Sequence, residues 1–147
     1  MNNIVTRTIS IHDEDYHKVF DLREEILRKP IGLSLKDEDL SGDALDIIVI
    51  AEDNDDIIGC VMIHPADNAE VLKLRQMAVA GNWQGKGIGN MLMKAAEQQC
   101  LEKGAKKIVL HARITAQTFY EKLGYAVVSG VFTEVGIPHV VMEKQVL

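Results

Sequence analysis

Between an apolar run, Leu72 to Val79, and a long helical pattern, Ile88 to Lys103, lies the stretch Gln84-Gly85-Lys86-Gly87-Ile88-Gly89. Three glycines at alternate positions in a strand-to-helix turn predict a backbone that something approaches closely, because glycine has no Cβ to bar a ligand. The helix that follows adds unpaired N–H groups and the positive end of its dipole, so the turn is suited to an anion. Lys86 lies inside the loop and adds a point charge, which makes phosphate the anion indicated. Spacing sorts the phosphate ligands. Gly81 precedes Gly85-Lys86 with three residues between rather than the four of a P-loop, and Gly87 stands where a magnesium-binding hydroxyl would be. A dinucleotide fingerprint fits no better, because the run is G-x-G-x-G followed by Asn90 and falls past the middle of the chain.

The elements that position this turn are legible in order. The β-branched run Ile4 to Ile11 reads as a first strand, and Tyr16 to about Lys29 as a helix ended by Pro30. Pro30 to Asp43 reads as a loop with a short helix around Lys36 to Leu40. Asp46 to Glu52 and Ile57 to His64 form a hairpin around Asp53-Asn54-Asp55-Asp56, a solvated turn without the ligand spacing of a calcium loop. Glu70 to Ala80 returns as a fourth strand into the glycine turn. After it, Ile88, Met91, Leu92, Ala95, Ala96, Gln99 and Cys100 mark one helical side, and Gly104 ends that helix. Lys107 to His111 gives a fifth strand, Thr115 to Leu123 a short helix and Tyr125 to Val128 a sixth strand. Val131 to Val135 reads as part of a link, and His139 to Glu143 closes the sheet. The expectation is an α/β (α+β) fold: a mixed, mostly antiparallel sheet of about seven strands flanked by about four helices.

Composition narrows the function. At 147 residues, 47% apolar and 26% charged, residues 1–147 fit one domain of ordinary globular character. A net charge of −6 speaks against a nucleic-acid binder and is compatible with a cationic substrate. Cys60 and Cys100 sit far apart in apolar segments and read as buried thiols rather than a disulfide. No signal-peptide pattern and no membrane-length apolar run is seen, so the expectation is a cytoplasmic protein with no membrane partner. The histidines lack metal spacing, and no metal is expected.

Two motifs together resemble the GNAT superfamily of N-acetyltransferases. The family's loop reads Gln/Arg-x-x-Gly-x-Gly/Ala, and Gln84, Gly87 and Gly89 fill those slots. Many members also carry Asn-x-x-Ala-x-x-Phe/Leu-Tyr-x-x-x-Gly-Phe after the fifth strand, where Ala116, Phe119, Tyr120, Gly124 and Tyr125 match and Arg113 replaces the asparagine. The order of elements agrees over nearly the whole chain. The resemblance implies a sheet splayed between strands four and five. It also implies acetyl-CoA as co-substrate, with the backbone of Gln84, Gly85, Lys86, Gly87, Ile88 and Gly89 gripping its pyrophosphate. Met77, Ala78 and Val79 would supply backbone donors to the reacting carbonyl, Met77 and Val79 also to the pantetheine arm. Tyr120 would be the general acid that protonates the leaving thiolate.

Acetyl transfer to an amine needs a neutral nucleophile, charge stabilisation at the carbonyl oxygen and a proton for the thiolate. The base stays open among Glu70, Glu134, His139 and water. His139 reads first as a surface or structural histidine, and His111 as one satisfied near the core. Arg113 either reaches a cofactor phosphate or acceptor carboxylate or is a solvated link residue. Arg23 and Arg28, with Pro30-Ile31-Gly32 and the later Gly136-Ile137-Pro138-His139, resemble a subset of small bacterial-type members. That arginine pair reads equally as a carboxylate site or as a solvated helix face. Around Tyr120, the spacing of Ala116, Phe119 and Leu123 predicts that these three face inward and that Tyr120 lies at the flank. The function expected is N-acetyl transfer to a small-molecule or peptide amine by direct attack, because no active-site cysteine is evident for a covalent relay. A non-catalytic acyl-CoA-sensing module of the same fold is the alternative. The acceptor and the oligomeric state, a homodimer included, stay open.

Overall fold

In the computed structural model, which describes residues 3–147, the longest apolar runs form the centre of the sheet. Strands β2 (Ile47–Asp53) and β3 (Asp56–Pro65) make the expected hairpin, with Asn54 at φ 57 in its tip. Their side chains alternate between two cores. Ile48, Ile50, Cys60 and Met62 pack with Val19 and Leu22 of helix α1 (Tyr16–Arg23), whereas Val49, Val61 and Ile63 pack with Leu92 and Ala96 of α2 (Ile88–Glu102). A sheet covered on both faces explains why these strands read as continuous apolar runs.

Among the described residues the sheet has eight strands. Strand β1 (Ile4–Ile9) flanks β2, and β4 (Val71–Val79) flanks β3. Beyond them come β5 (Lys107–Arg113), β8 (Ile137–Gln145) and β6 (Ala126–Val127), while β7 (Phe132–Glu134) pairs with β8. All pairs are antiparallel except β4 with β5. The mixed, mostly antiparallel architecture is as expected; the strand beyond seven is β7, which arises in the segment read as a link. Val135 and Gly136 both take positive φ, 47° and 76°, so they turn the chain in two residues and fold β7 back onto β8. The sixth strand is correspondingly short.

Among the described residues three α-helices form rather than about four. Around Lys36 to Leu40 the chain makes 3₁₀ turns instead, Leu35–Asp37 and Ser41–Leu45, the first capped by Ser34. Helix α1 runs on as a π turn (Glu24–Arg28) and a 3₁₀ turn (Lys29–Ile31) at Pro30, and α3 (Gln117–Lys122) follows the 3₁₀ turn Ile114–Ala116. No helix among the described residues is long and apolar enough to cross a membrane.

One irregularity opens the sheet. Cys60 pairs with Ala78 but Met62 with Arg75, so Val61 faces two residues of β4, and Gln76 takes φ 58. Such a bulge shifts side-chain alternation by one residue. Leu72 and Leu74 belong to the α2 core before it, Met77 and Val79 after it, and Ala78 turns to the α1 side. Strand β4 pairs with β5 only from Val71 with Lys107 to Leu74 with Leu110, while β5 continues beside β8 as far as Arg113 with His139. A wedge is left between Arg75–Val79 and His111–Arg113.

Candidate active site

A cleft of about 920 Å³ runs through this wedge. Met77, Ala78, Val79, Gln84, Gly85, Gly87, Ile88, Gly89 and Tyr120 all contribute to its wall. The Ala78 and Ile88 side chains are buried in the cores, so these two residues offer the cleft mainly backbone. Ala80 N–H donates to Ile58 O of β3 at 2.8 Å; by the alternation of an extended strand, the Val79 N–H points the other way, into the wedge. Gln84 closes this end, its Nε2 donating to Val79 O at 3.0 Å.

At the turn, Gly87 has φ 85 and precedes the first residue of α2; open space lies where its Cβ would be. No side chain caps α2 and no acidic residue stands in its first turn, so its leading N–H groups face the cleft uncompensated. Gly89 has a different task. A Cβ there would lie 3.1 Å from the Phe119 ring, so the glycine lets α3 close on α2. Lys86 departs from the expectation: it is absent from the cleft wall, and its Nζ lies 5.4 Å from the Trp83 ring centroid. An exposed ammonium on a flexible stem gains more from an aromatic face than from amides that offer it no acceptor.

Tyr120 also differs from the helical-face reading. It is the buried residue of α3, 9% exposed, whereas Ala116, Phe119 and Leu123 are only partly buried. The helix is too short for periodicity to fix its inner face, and the Phe119 and Tyr125 rings, 5.0 and 6.0 Å away edge-on, hold the phenol instead. Its hydroxyl has no hydrogen-bond partner among the described residues and reaches the cleft. Burial pushes its pKa up to about 12, so it is a proton donor at neutral pH.

Across the wedge, the His111 Nδ1 lies 2.8 Å from Glu134 Oε1, and the His139 Nε2 lies 3.7 Å from Oε2. Phe132 sits against both imidazoles. The His139 Nδ1–H donates to Ile137 O at 2.7 Å, which fixes the ring with its Nε2 edge turned toward Glu134. Burial would raise the Glu134 carboxyl, but His111, His139 and Lys73 together hold it below the usual carboxylate range. His139 is buried, not a surface residue. Glu70 is elsewhere, exposed at the far end of β4 and paired with Lys106.

Residues 37–146 match the family model described as an acetyltransferase (GNAT) domain. The chain belongs to the GNAT acetyltransferase family. It is 30% identical over 139 residues to the Bacillus subtilis N-acetyltransferase YjcF, itself uncharacterised, covering 92% of this chain and 96% of that one. A crystal structure of a candidate N-acetyltransferase from Lactobacillus plantarum superposes with a TM-score of 0.88 at 26% identity, covering 99% and 100% of the two chains. A GNAT family acetyltransferase from Elizabethkingia anophelis, solved with acetyl-CoA bound, shares the fold with a TM-score of 0.72 at 21% identity, covering 99% of each.

In this GNAT chain the wedge is braced by a network that sequence reading missed. Arg23, 1% exposed, donates from Nη1 to Asp43 Oδ2 at 2.9 Å and from Nε to Gln76 Oε1 at 3.1 Å, the residue at the bulge. Arg75 bridges Asp43 and Asp46, and His64 also holds Asp46. Arg23 is therefore neither a solvated residue nor an open carboxylate site. Arg28 is likewise buried, with Glu38 accepting from its Nε and Nη2 at 2.6 and 3.2 Å. Burial works against the Asp43 carboxylate, yet Arg23 and Arg75 hold its pKa below the ordinary value. At Asp46 burial prevails over His64 and Arg75, and the pKa is raised. No local pattern could have found this network, because its partners lie 20, 32 and 53 residues apart.

Proposed function

We propose that this protein is an acetyl-CoA-dependent N-acetyltransferase that acetylates a primary amine by direct attack in a ternary complex. The observation that carries the reading is a single cleft onto which the uncapped α2 turn, the wedge-facing Val79 N–H and the Tyr120 hydroxyl all open. The open Cβ positions at Gly85 and Gly87 fit a pyrophosphate lying against the backbone. When bound, acetyl-CoA supplies the acyl carbonyl and a thiolate leaving group. Val79 N–H, with Met77 N–H two residues before it, donates to the carbonyl oxygen as negative charge develops there. The amine nitrogen forms the new C–N bond, the C–S bond breaks, and Tyr120 gives its proton to the departing sulfur. The acceptor ammonium first releases one proton to solvent to become the neutral amine, the second proton its nitrogen loses after attack passes to Glu134, directly or through water, and solvent returns a proton to Tyr120.

A covalent relay is disfavoured by chemistry. Cys60 and Cys100 are both buried, and burial pushes each thiol up to about 12, far from the thiolate form. Buried free thiols also agree with the cytoplasmic location we assign. The test is calorimetric titration with acetyl-CoA, followed by thiol release against a broad amine panel. Acetyl-CoA bound but never spent on any amine would leave a binding module, and no binding would remove the reading altogether.

A further inference from the structure

The charges along the cleft do not cancel. Arg28 is matched by Glu38, and Arg75 by Asp43 and Asp46. Lys73 and Arg113 also line the cleft; among the described residues neither lies within ion-pair distance of a carboxylate, and Lys73 acts on Glu134 only through its field. Besides Glu38, which pairs with Arg28, the carboxylate lining the cleft among the described residues is Glu134, already held by His111. Strand alternation places Lys73 and Arg75 on one face of β4 and His111 and Arg113 on the same face of β5, opposite Leu74, Leu110 and Ala112, which belong to the α2 core. This local excess of positive charge lies in a chain whose net charge is −6.

Arg113 is oriented but not neutralised. Its Nη2 donates to Leu27 O at 3.0 Å, and Arg28 Nη1 donates to the same oxygen at 3.2 Å, so two guanidiniums meet around one carbonyl while Glu38 pairs with Arg28. Most of the Arg113 donors remain unspent. Burial first, then the Arg28 charge, pulls its pKa below the ordinary arginine value, a strain that an anion would relieve. Polyamines and amino sugars carry further ammonium groups, and these would meet Lys73 and Arg113 without a free carboxylate to receive them.

Resting on the N-acetyltransferase reading, we infer that the acceptor is a primary amine that also carries a carboxylate, and that Arg113 binds this carboxylate with Lys73 adding to the field. A planar guanidinium suits a carboxylate through paired N–H donors, which a neutral amide cannot accept as well.

The probes are ω-amino acids of two to six carbons, each compared with its carboxamide and with the amine lacking that group, using thiol release with acetyl-CoA saturating. The parent enzyme should favour acids over amides by at least about ten-fold in kcat/KM. Arg113→Gln should raise KM for the acids about ten-fold or more and erase the preference, while Arg113→Lys should recover part of it. A parent preference for amides or plain amines overturns the inference and leaves N-acetyl transfer standing, as does an Arg113→Gln loss confined to acetyl-CoA affinity. If acetyl-CoA binds but no probe is acetylated, the coenzyme A complex is titrated with the N-acetylated acids and amides. Tighter binding of the acids, lost in Arg113→Gln, supports the inference; equal or absent binding overturns it. Failure to bind acetyl-CoA at all removes the parent reading, and this inference with it.

Discussion

Replacing Tyr120 with phenylalanine separates a proton donor from a packing ring. The edge-on contacts of the ring with Phe119 and Tyr125 stay in place, and the hydroxyl that is lost has no hydrogen-bond partner among the described residues. Stability should therefore change by no more than about 0.5 kcal/mol, a shift of Tm within about 2 °C. Turnover should behave otherwise. A positioned acid contributes roughly 10²–10⁴-fold, and because solvent can supply part of the lost protonation, a fall of about 10²–10³ is expected, or about 2.7–4 kcal/mol of barrier. With a pKa of about 12, only about one molecule in 10⁵ lacks this proton at pH 7. The donor form is lost only as pH rises through that value, so Tyr120 should impose no alkaline limb on the parent profile below about pH 11. The assay is steady-state thiol release with the best acceptor of the amine panel, paired with scanning calorimetry and acetyl-CoA titration. Parent-like turnover would refute the acid role. A Tm lowered by several degrees, or weakened acetyl-CoA binding, would return Tyr120 to packing.

Other predictions follow from the same geometry. Glu134→Gln should lower kcat/KM by about 10²-fold and remove an acidic limb of the pH profile, because the folded carboxyl is held below its ordinary value and accepts protons only from the ionised state. Asp43→Asn leaves Arg23 buried without its full counter-charge and should cost about 3–5 kcal/mol, a fall in Tm of roughly 10–15 °C by thermal unfolding. The lowered folded pKa of Asp43 means that its stabilisation is present above the unfolded value of 3.8 and lost as pH falls through the folded one. The gap between parent and Asp43→Asn should therefore narrow below about pH 4. Gly87→Ala forces a Cβ into left-handed backbone at a cost of about 1–2 kcal/mol and should weaken acetyl-CoA binding more than ten-fold by calorimetry. Gly81→Ala, where open space meets no positive φ, should change neither quantity.

The sequence by itself determined the parts whose signals are local. The apolar runs at Ile47 to Ile63 specified the central hairpin, the periodicity of Ile88 to Cys100 the long helix, and the alternate glycines from Gly85 to Gly89 the turn between β4 and α2. Each depends on alternation or helical period within a few residues, and such patterns survive in a one-dimensional string. Tertiary structure decided what depends on distant partners. The bulge at Gln76 is held by Arg23, 53 residues away, and that contact turns an ordinary strand into one side of a wedge. Strand β7 exists because β8 offers an edge, and its own short run carries too little alternation to be seen beforehand. Tyr120 and Phe119 exchanged their expected burial because neighbouring rings, rather than the turns of a six-residue helix, chose the inner face. Lys86 turned onto the Trp83 ring at the cleft's edge, while Arg113 lines the cleft from the end of β5. A charged side chain's direction is set by whichever partner lies within reach of its long stem, and reach is a property of the folded chain.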